Sequence, residues 1–144
     1  MPNSPISLLG VIPPSKIFSL MQLGGMTFTI ANNAGWYDTL TFPDPADPTQ
    51  PLNITGIDFW AELRTSPEDI SNKLDMKSFV SSPQFVVGGT NGTLYFSVDV
   101  TLIKKLAPTV YQMDILAIDH ATGMVRNLCE LGPIAVTVIQ GVTR

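Results

Sequence analysis

The sequence predicts an all-β protein, an antiparallel β-sandwich of seven to nine strands with one or two short helices and an extended N-terminal arm. Three observations carry this. Short stretches alternate apolar and polar residues with a period of two. Clusters of Gly, Pro, Asn and Asp punctuate them. Finally, 44% apolar content in 144 residues suffices for one core without disulfide staples. The sandwich is expected over residues 25–144 and the arm over 1–24.

The arm comes first. Pro2, Pro5, Pro13 and Pro14 forbid a continuous helix and favour extended backbone. Ile6, Leu8, Leu9, Val11, Ile12, Ile17, Phe18 and Leu20 are too apolar for a solvated tail. These eight side chains need a surface to lie on, either their own domain or a neighbouring subunit, and they are the candidate subunit interface. Gly24-Gly25 is expected to act as a flexible joint.

Strands are predicted at Met26 to Ala31 and Trp36 to Phe42, separated by the Asn32-Asn33-Ala34-Gly35 turn. Residues 43–51 hold four prolines, which would remove four ladder donors, so a stiff surface loop is expected there. Ile54 to Arg64 gives the clearest strand. Ile57, Phe59, Ala61 and Leu63 share one face, with Asp58, Trp60, Glu62 and Arg64 on the other. An outward Trp60 is either covered by its own chain or an anchor for a partner, and it joins the candidate interface residues.

Ser66-Pro67 resembles a helix start, with Ser66 as cap and Pro67 in the first position. Short strands are expected at Phe79-Val80 and Phe85 to Val87, then a loose turn at Gly88 to Gly92. Thr93 to Val98 alternates again. Asp99 can cap one helical turn that Pro108 ends. Val110 to Ile118 places Tyr111, Met113, Ile115 and Ala117 on one face, and Asp119 to Gly123 turns a hairpin. Met124 to Leu131 returns, Gly132-Pro133 breaks the run, and Ile134 to Ile139 closes it.

Composition limits the function classes. Charged residues make up 14% of the chain, against about 25% in ordinary soluble domains. Such a surface suits a protein covered by neighbours or made for an extracellular setting. A net charge of −4, with no cationic run longer than Lys104-Lys105, argues against nucleic acid as a partner. No apolar run reaches the roughly 18 residues that would span a bilayer. The N-terminus has no basic region and its apolar segment is broken by Pro13-Pro14, unlike a signal peptide, so release into the cytosol of whatever cell makes it is expected.

One histidine, His120, excludes a multi-histidine metal site, and its turn position suggests a solvated residue. The lone Cys129 reads as a buried thiol. Asp44 and Asp47 share the proline loop but lack the spacing of a calcium loop. No nucleophile elbow, phosphate-cradling glycine loop or CxxC pair occurs, so neither enzyme activity nor a cofactor or metal is expected. Trp36, Tyr37, Trp60 and Tyr95 could form a glycan-binding face if they cluster on one side of the sandwich.

The order of segments carries more than any single one. The strand Thr55-Gly56-Ile57-Asp58-Phe59-Trp60-Ala61-Glu62-Leu63-Arg64 leads to Gly92-Thr93-Leu94-Tyr95-Phe96-Ser97-Val98. A leucine-bearing helical turn, Tyr111-Gln112-Met113-Asp114-Ile115 and an acidic hairpin follow. A Leu131-Gly132 step then enters the closing strand that ends Val142-Thr143-Arg144. From about residue 26 onward this resembles the small immunoglobulin-like β-sandwich proteins of tailed bacteriophages. Similar domains form the N-terminal part of upper-baseplate proteins that attach receptor-binding fibres. The family's glycine before the tyrosine strand is replaced here by Ala107-Pro108-Thr109, and the arm and the proline loop lie outside its pattern.

The resemblance implies an immunoglobulin-like fold and a virion structural role in the tail or baseplate. It implies attachment to other virion proteins in multiple copies, as an adaptor or fibre-attachment component. It brings no catalytic residues. Capsid decoration or glycan binding is the alternative expectation.

Overall fold

The computed structural model describes residues 15–66 and 73–142. The described chain opens with a single 3-10 turn, Lys16–Ser19, capped by the Ser15 hydroxyl, which accepts from the Ile17 amide at 3.3 Å. Eleven strands follow among the described residues: β1 (Thr27–Ala31), β2 (Trp36–Thr41), β3 (Pro43–Asp44), β4 (Asp47–Pro51), β5 (Ile57–Arg64), β6 (Leu74–Lys77), β7 (Phe85–Val87), β8 (Thr93–Val98), β9 (Val110–Asp119), β10 (Val125–Asn127) and β11 (Ile134–Ile139). One short helix, α1 (Val100–Ile103), joins β8 to β9. Its N-terminal amide at Thr101 donates to the Asp99 carboxylate at 2.9 Å, as the capping pattern predicts.

The strands form two facing sheets. The larger has the order β1-β11-β9-β5-β6, with β10 also on β9; the smaller runs β2-β8-β7. All pairs are antiparallel except β1 with β11. In chain order, β2, β5, β6, β7, β8, β9 and β11 match strands B, C, C′, D, E, F and G of an immunoglobulin sandwich. B, E and D share one sheet here and G, F, C and C′ the other, which is that fold's partition. The chain is an immunoglobulin-like β-sandwich. Its first strand, β1, lies against G rather than B.

Local chemistry explains the two-sheet core. β5 buries Ile57, Phe59, Ala61 and Leu63, and β9 buries Tyr111, Met113, Ile115 and Ala117, both in strict alternation. Leu94, Phe96 and Val98 answer from β8. A buried Trp beside an inter-sheet disulfide often centres such sandwiches, but one cysteine cannot supply that bond. An aromatic cluster takes the place instead. Trp36 of β2 is buried against Phe96 and Phe28, with ring centroids 5.0 Å and 5.5 Å away, and Phe85 meets Phe96 edge-on at 5.1 Å.

Tyr111, at the start of β9, donates its hydroxyl to the Ala107 carbonyl at 2.8 Å. This is a tyrosine corner, which pins the crossing from one sheet to the other. Gly92 is fixed for two reasons. Its φ is +67°, and a Cβ there would stand 2.6 Å from the Leu52 carbonyl oxygen.

Two expectations about the arm need correction. Ile17 and Leu20 are not available to a partner subunit, because both lie inside this chain's own core together with Leu23. The Leu23 amide donates to the Leu128 carbonyl at 2.8 Å, and Arg126 donates to the carbonyls of Ile17 (2.7 Å) and Leu20 (2.9 Å). Burying each apolar side chain contributes about 1.5–3 kcal/mol, more than an exposed arm would recover. Gly24 is likewise a close-packing site rather than a free joint, since a Cβ there would meet the Gly132 carbonyl oxygen at 2.8 Å.

The proline loop contains a small hairpin, β3 with β4, lying outside both main sheets. Phe79 and Val80 form an exposed bend rather than a strand. The helix start at Pro67 and the terminal Thr143-Arg144 lie outside the described residues, as do Ile6, Leu8, Leu9, Val11 and Ile12.

Candidate interaction surface

The two outer faces differ in chemistry. On the larger sheet, the outward residues of β5 and β6 include Asp58, Glu62, Arg64, Asp75 and Lys77. Trp60 sits among them, half-buried. Its indole N–H donates to Asp75 Oδ1 at 2.6 Å, and Lys77 Nζ lies 5.2 Å from the ring centroid. The indole is therefore covered by its own strand β6 and is not a free anchor. Beside it, Trp60, Arg64, Gln112, Asp114 and Pro133 line an open groove of about 450 Å³.

The smaller sheet presents no charge on its outer face. Tyr37, Thr39 and Thr41 of β2 stand beside Ser97, Tyr95 and Thr93 of β8, followed by Val86 of β7. Tyr37 is 68% exposed. Of the four aromatic residues considered for glycan binding, this face holds Tyr37 and Tyr95. Trp36 is in the core, and Trp60 is on the opposite sheet. Alternation places both tyrosines, but pairing them needs the β2–β8 register, which the sequence does not state.

The β2 edge matters as much as the face. Phe42 donates its amide to the Gly92 carbonyl at 2.8 Å, in register with Thr41↔Thr93. Hydrogen-bonded pairs alternate along an antiparallel ladder. Leu40, Asp38 and Trp36 therefore bond to β8, while the N–H and C=O groups of Tyr37, Thr39 and Thr41 point away from it. Among the described residues these outward groups have no backbone partner.

The β6 and β7 edges are better protected, while β1, the remaining edge, is a five-residue strand that also lacks charge and proline. β6 carries Asp75 and Lys77, and β7 has three residues just after Pro83. The β2 edge has neither Pro nor Lys, and its one charge, Asp38, accepts the Trp36 indole N–H at 2.9 Å.

Phe18 is 57% exposed, next to the buried Ile17, so it alone of the described arm side chains in the candidate interface remains on the surface. His120 is solvent-exposed but not unpartnered, because its Nε2 meets the Asp58 carboxylate. Ser78 donates its hydroxyl to the other oxygen of Asp58 at 2.6 Å. The carboxylate lies between serine and histidine, so the imidazole cannot take the serine proton, and the cluster ties β5 to two loops instead. The Cys129 thiol is buried, and burial raises its pKa, which keeps it protonated and a poor nucleophile. The sequence contained these groups but not their meeting, since residues 58, 78 and 120 are far apart along the chain.

Ser15 and Asp119 form the second long-range pair that spacing did not suggest. The Ser15 hydroxyl donates to Asp119 Oδ2, and the Ala121 amide donates to Oδ1 at 2.9 Å. The Ser15 bond is the main reason the carboxyl is held below the usual carboxylate range. This pair fixes where the arm leaves the sandwich.

No known family model matches the chain, and no curated protein sequence does. Solved structures similar to it include Drosophila N-cadherin EC1-4, at 12% identity and a TM-score of 0.33, covering 79% of this chain and 22% of that one. Drosophila OTK, extracellular domains 3-5, is similar at 18% identity and a TM-score of 0.32, covering 91% of this chain and 37% of that one. The chain thus spans well under half the length of either. The fold assignment rests on the strand order and the tyrosine corner.

Proposed function

We propose that this protein is a structural component of a tailed-bacteriophage virion, held in the tail or baseplate in multiple copies. It works as an adaptor or fibre-attachment piece by contact rather than by catalysis. The observation that supports this best is the six-residue β2 edge, which presents outward backbone groups next to an uncharged Tyr/Thr/Ser face. Such an edge invites strand addition, and a protein that leaves one long and free of Lys or Pro has a use for it. The family resemblance over residues 26–144 supplies the virion setting. The covered thiol and the inverted Ser78–Asp58–His120 order support a role without chemistry.

Glycan binding is the second reading, and one observation favours it: Tyr37 and Tyr95 share an uncharged face on which a sugar ring could stack. Locating the protein in purified particles by electron microscopy with a specific label decides between them. Density at the tail tip or baseplate is expected. Absence from particles, together with glycan binding that Tyr37→Ala abolishes, would transfer the assignment to recognition, and label on the head would make it a capsid decoration protein.

A further inference from the structure

We infer that the β2 edge is a strand slot filled by residues 6–12 of a second copy of this chain, added antiparallel with Leu9 opposite Thr39. The inference rests on the assembly reading above and specifies its contact.

In the general sandwich a first strand pairs with B. Here β1 pairs with β11 instead, and the position beside β2 is open among the described residues. Ile6-Ser7-Leu8-Leu9-Gly10-Val11-Ile12 suits that position. It carries no charge and no proline, so each of its seven residues can donate an amide. Its length matches the six residues of β2, and three of these, Tyr37, Thr39 and Thr41, point their backbone groups outward. With Leu9 opposite Thr39, Val11 meets Tyr37 and Ser7 meets Thr41. Ile6, Leu8 and Ile12 then fall on the core side, beside the buried Trp36 and Leu40.

The direction of the chain favours a second copy. Ser15 is tied to Asp119 at the end of β9, which pairs with Ile57 at the start of β5. The connection from β2 to β5 reaches the same pole, where Leu52 bonds to Phe42 and His120 to Gly56. The chain therefore enters the described fold at the pole where β2 ends. An antiparallel strand from the same chain would need Ile12 beside Trp36, at the far end of a strand about 20 Å long. Only Pro13 and Pro14 lie between Ile12 and Ser15, and the three steps from one to the other span at most about 11 Å. The chain's own arm could reach β2 only in the parallel sense, which is slightly less stable per residue. A neighbour's arm has no such restriction.

The test uses full-length chains carrying Cys129→Ala. One variant adds Leu9→Cys, another Thr39→Cys, and the two are mixed under mild oxidation. Facing residues of added antiparallel strands lie about 5.5 Å apart at Cα, within disulfide range. A disulfide-linked dimer containing one chain of each variant is expected, and it should be absent when either variant is oxidised alone. In parallel, Thr39→Pro removes one outward amide without touching the β8 ladder, and should abolish multimers seen by analytical ultracentrifugation while Thr39→Ala retains them.

An intrachain disulfide in the Leu9→Cys/Thr39→Cys double variant at high dilution, with no crosslink in the mixture, would overturn the inference in favour of the chain's own arm. Wild-type multimers that neither crosslink nor respond to Thr39→Pro would overturn it and leave the assembly reading standing. A wild type that stays monomeric, gives no crosslink and is missing from particles would remove both.

Discussion

Ser15 and Asp119 show how one hydroxyl can set a pH response. The native carboxyl has a depressed pKa because it accepts the Ser15 hydroxyl. Its contribution to stability is therefore complete above the unfolded-state value of about 3.9, and it is lost as pH falls through the lower native value. Chemical denaturation at a series of pH values should find Ser15→Ala less stable than wild type by a constant margin above about pH 4, with the gap shrinking on further acidification. A gap that stayed constant down to pH 2 would mean that Ser15 does not stabilise the fold through the ionised Asp119 carboxylate. None of this was legible in the sequence. Asp119 read as a turn residue, and nothing local marks a partner more than a hundred positions away. Tyr111 is the contrary case, because its place at the head of an alternating strand was visible and only its bond to Ala107 had to be seen.

At the scale of elements, alternation was a reliable guide wherever one strand face meets the core. β5, β8 and β9 bury the residues the period of two selects, and Asp99 caps the helix it was expected to cap. The arm was harder. Its composition said that it needs a surface, but composition cannot say where the surface changes from its own domain to another. The structure draws that line within a single turn, with Ile17 fully buried and Phe18 57% exposed.

Ile17→Ala should accordingly cost about 2–4 kcal/mol by urea unfolding, whereas Phe18→Ala should stay within about 0.5 kcal/mol of wild type. Equal effects would show that the 3-10 turn does not dock on the sandwich in solution. Arg126, which donates to two carbonyls of this segment, was not recognisable in advance. A lone arginine in a short strand looks like surface charge until the segment it clamps is placed.

For the whole molecule, fold class was readable from the sequence because strand rhythm and turn chemistry are local. Sheet order was not, because it depends on which strands meet across long separations. The parallel pairing of β1 with β11 has the largest consequence. It commits residues 15–31 to the larger sheet and leaves β2 with an open edge. The molecule thus has one charged face and one uncharged face, with its first described residue at the pole where the open strand ends. The proposed multi-copy assembly through the arm would use all three features.

The burial of Ile17, Leu20 and Leu23 also fixes where the arm can be cut. Removing residues 1–24 would take away part of the core, whereas removing residues 1–12 leaves every buried side chain of the described fold in place. The most direct measurement compares full-length protein with the chain lacking residues 1–12, each supplied during particle production, by quantifying its copies per purified particle alongside its thermal unfolding. The predicted result is an unfolding midpoint close to wild type with incorporation lost. A truncated protein that is folded and present at wild-type copy number would contradict the claim that the arm holds this protein in its assembly.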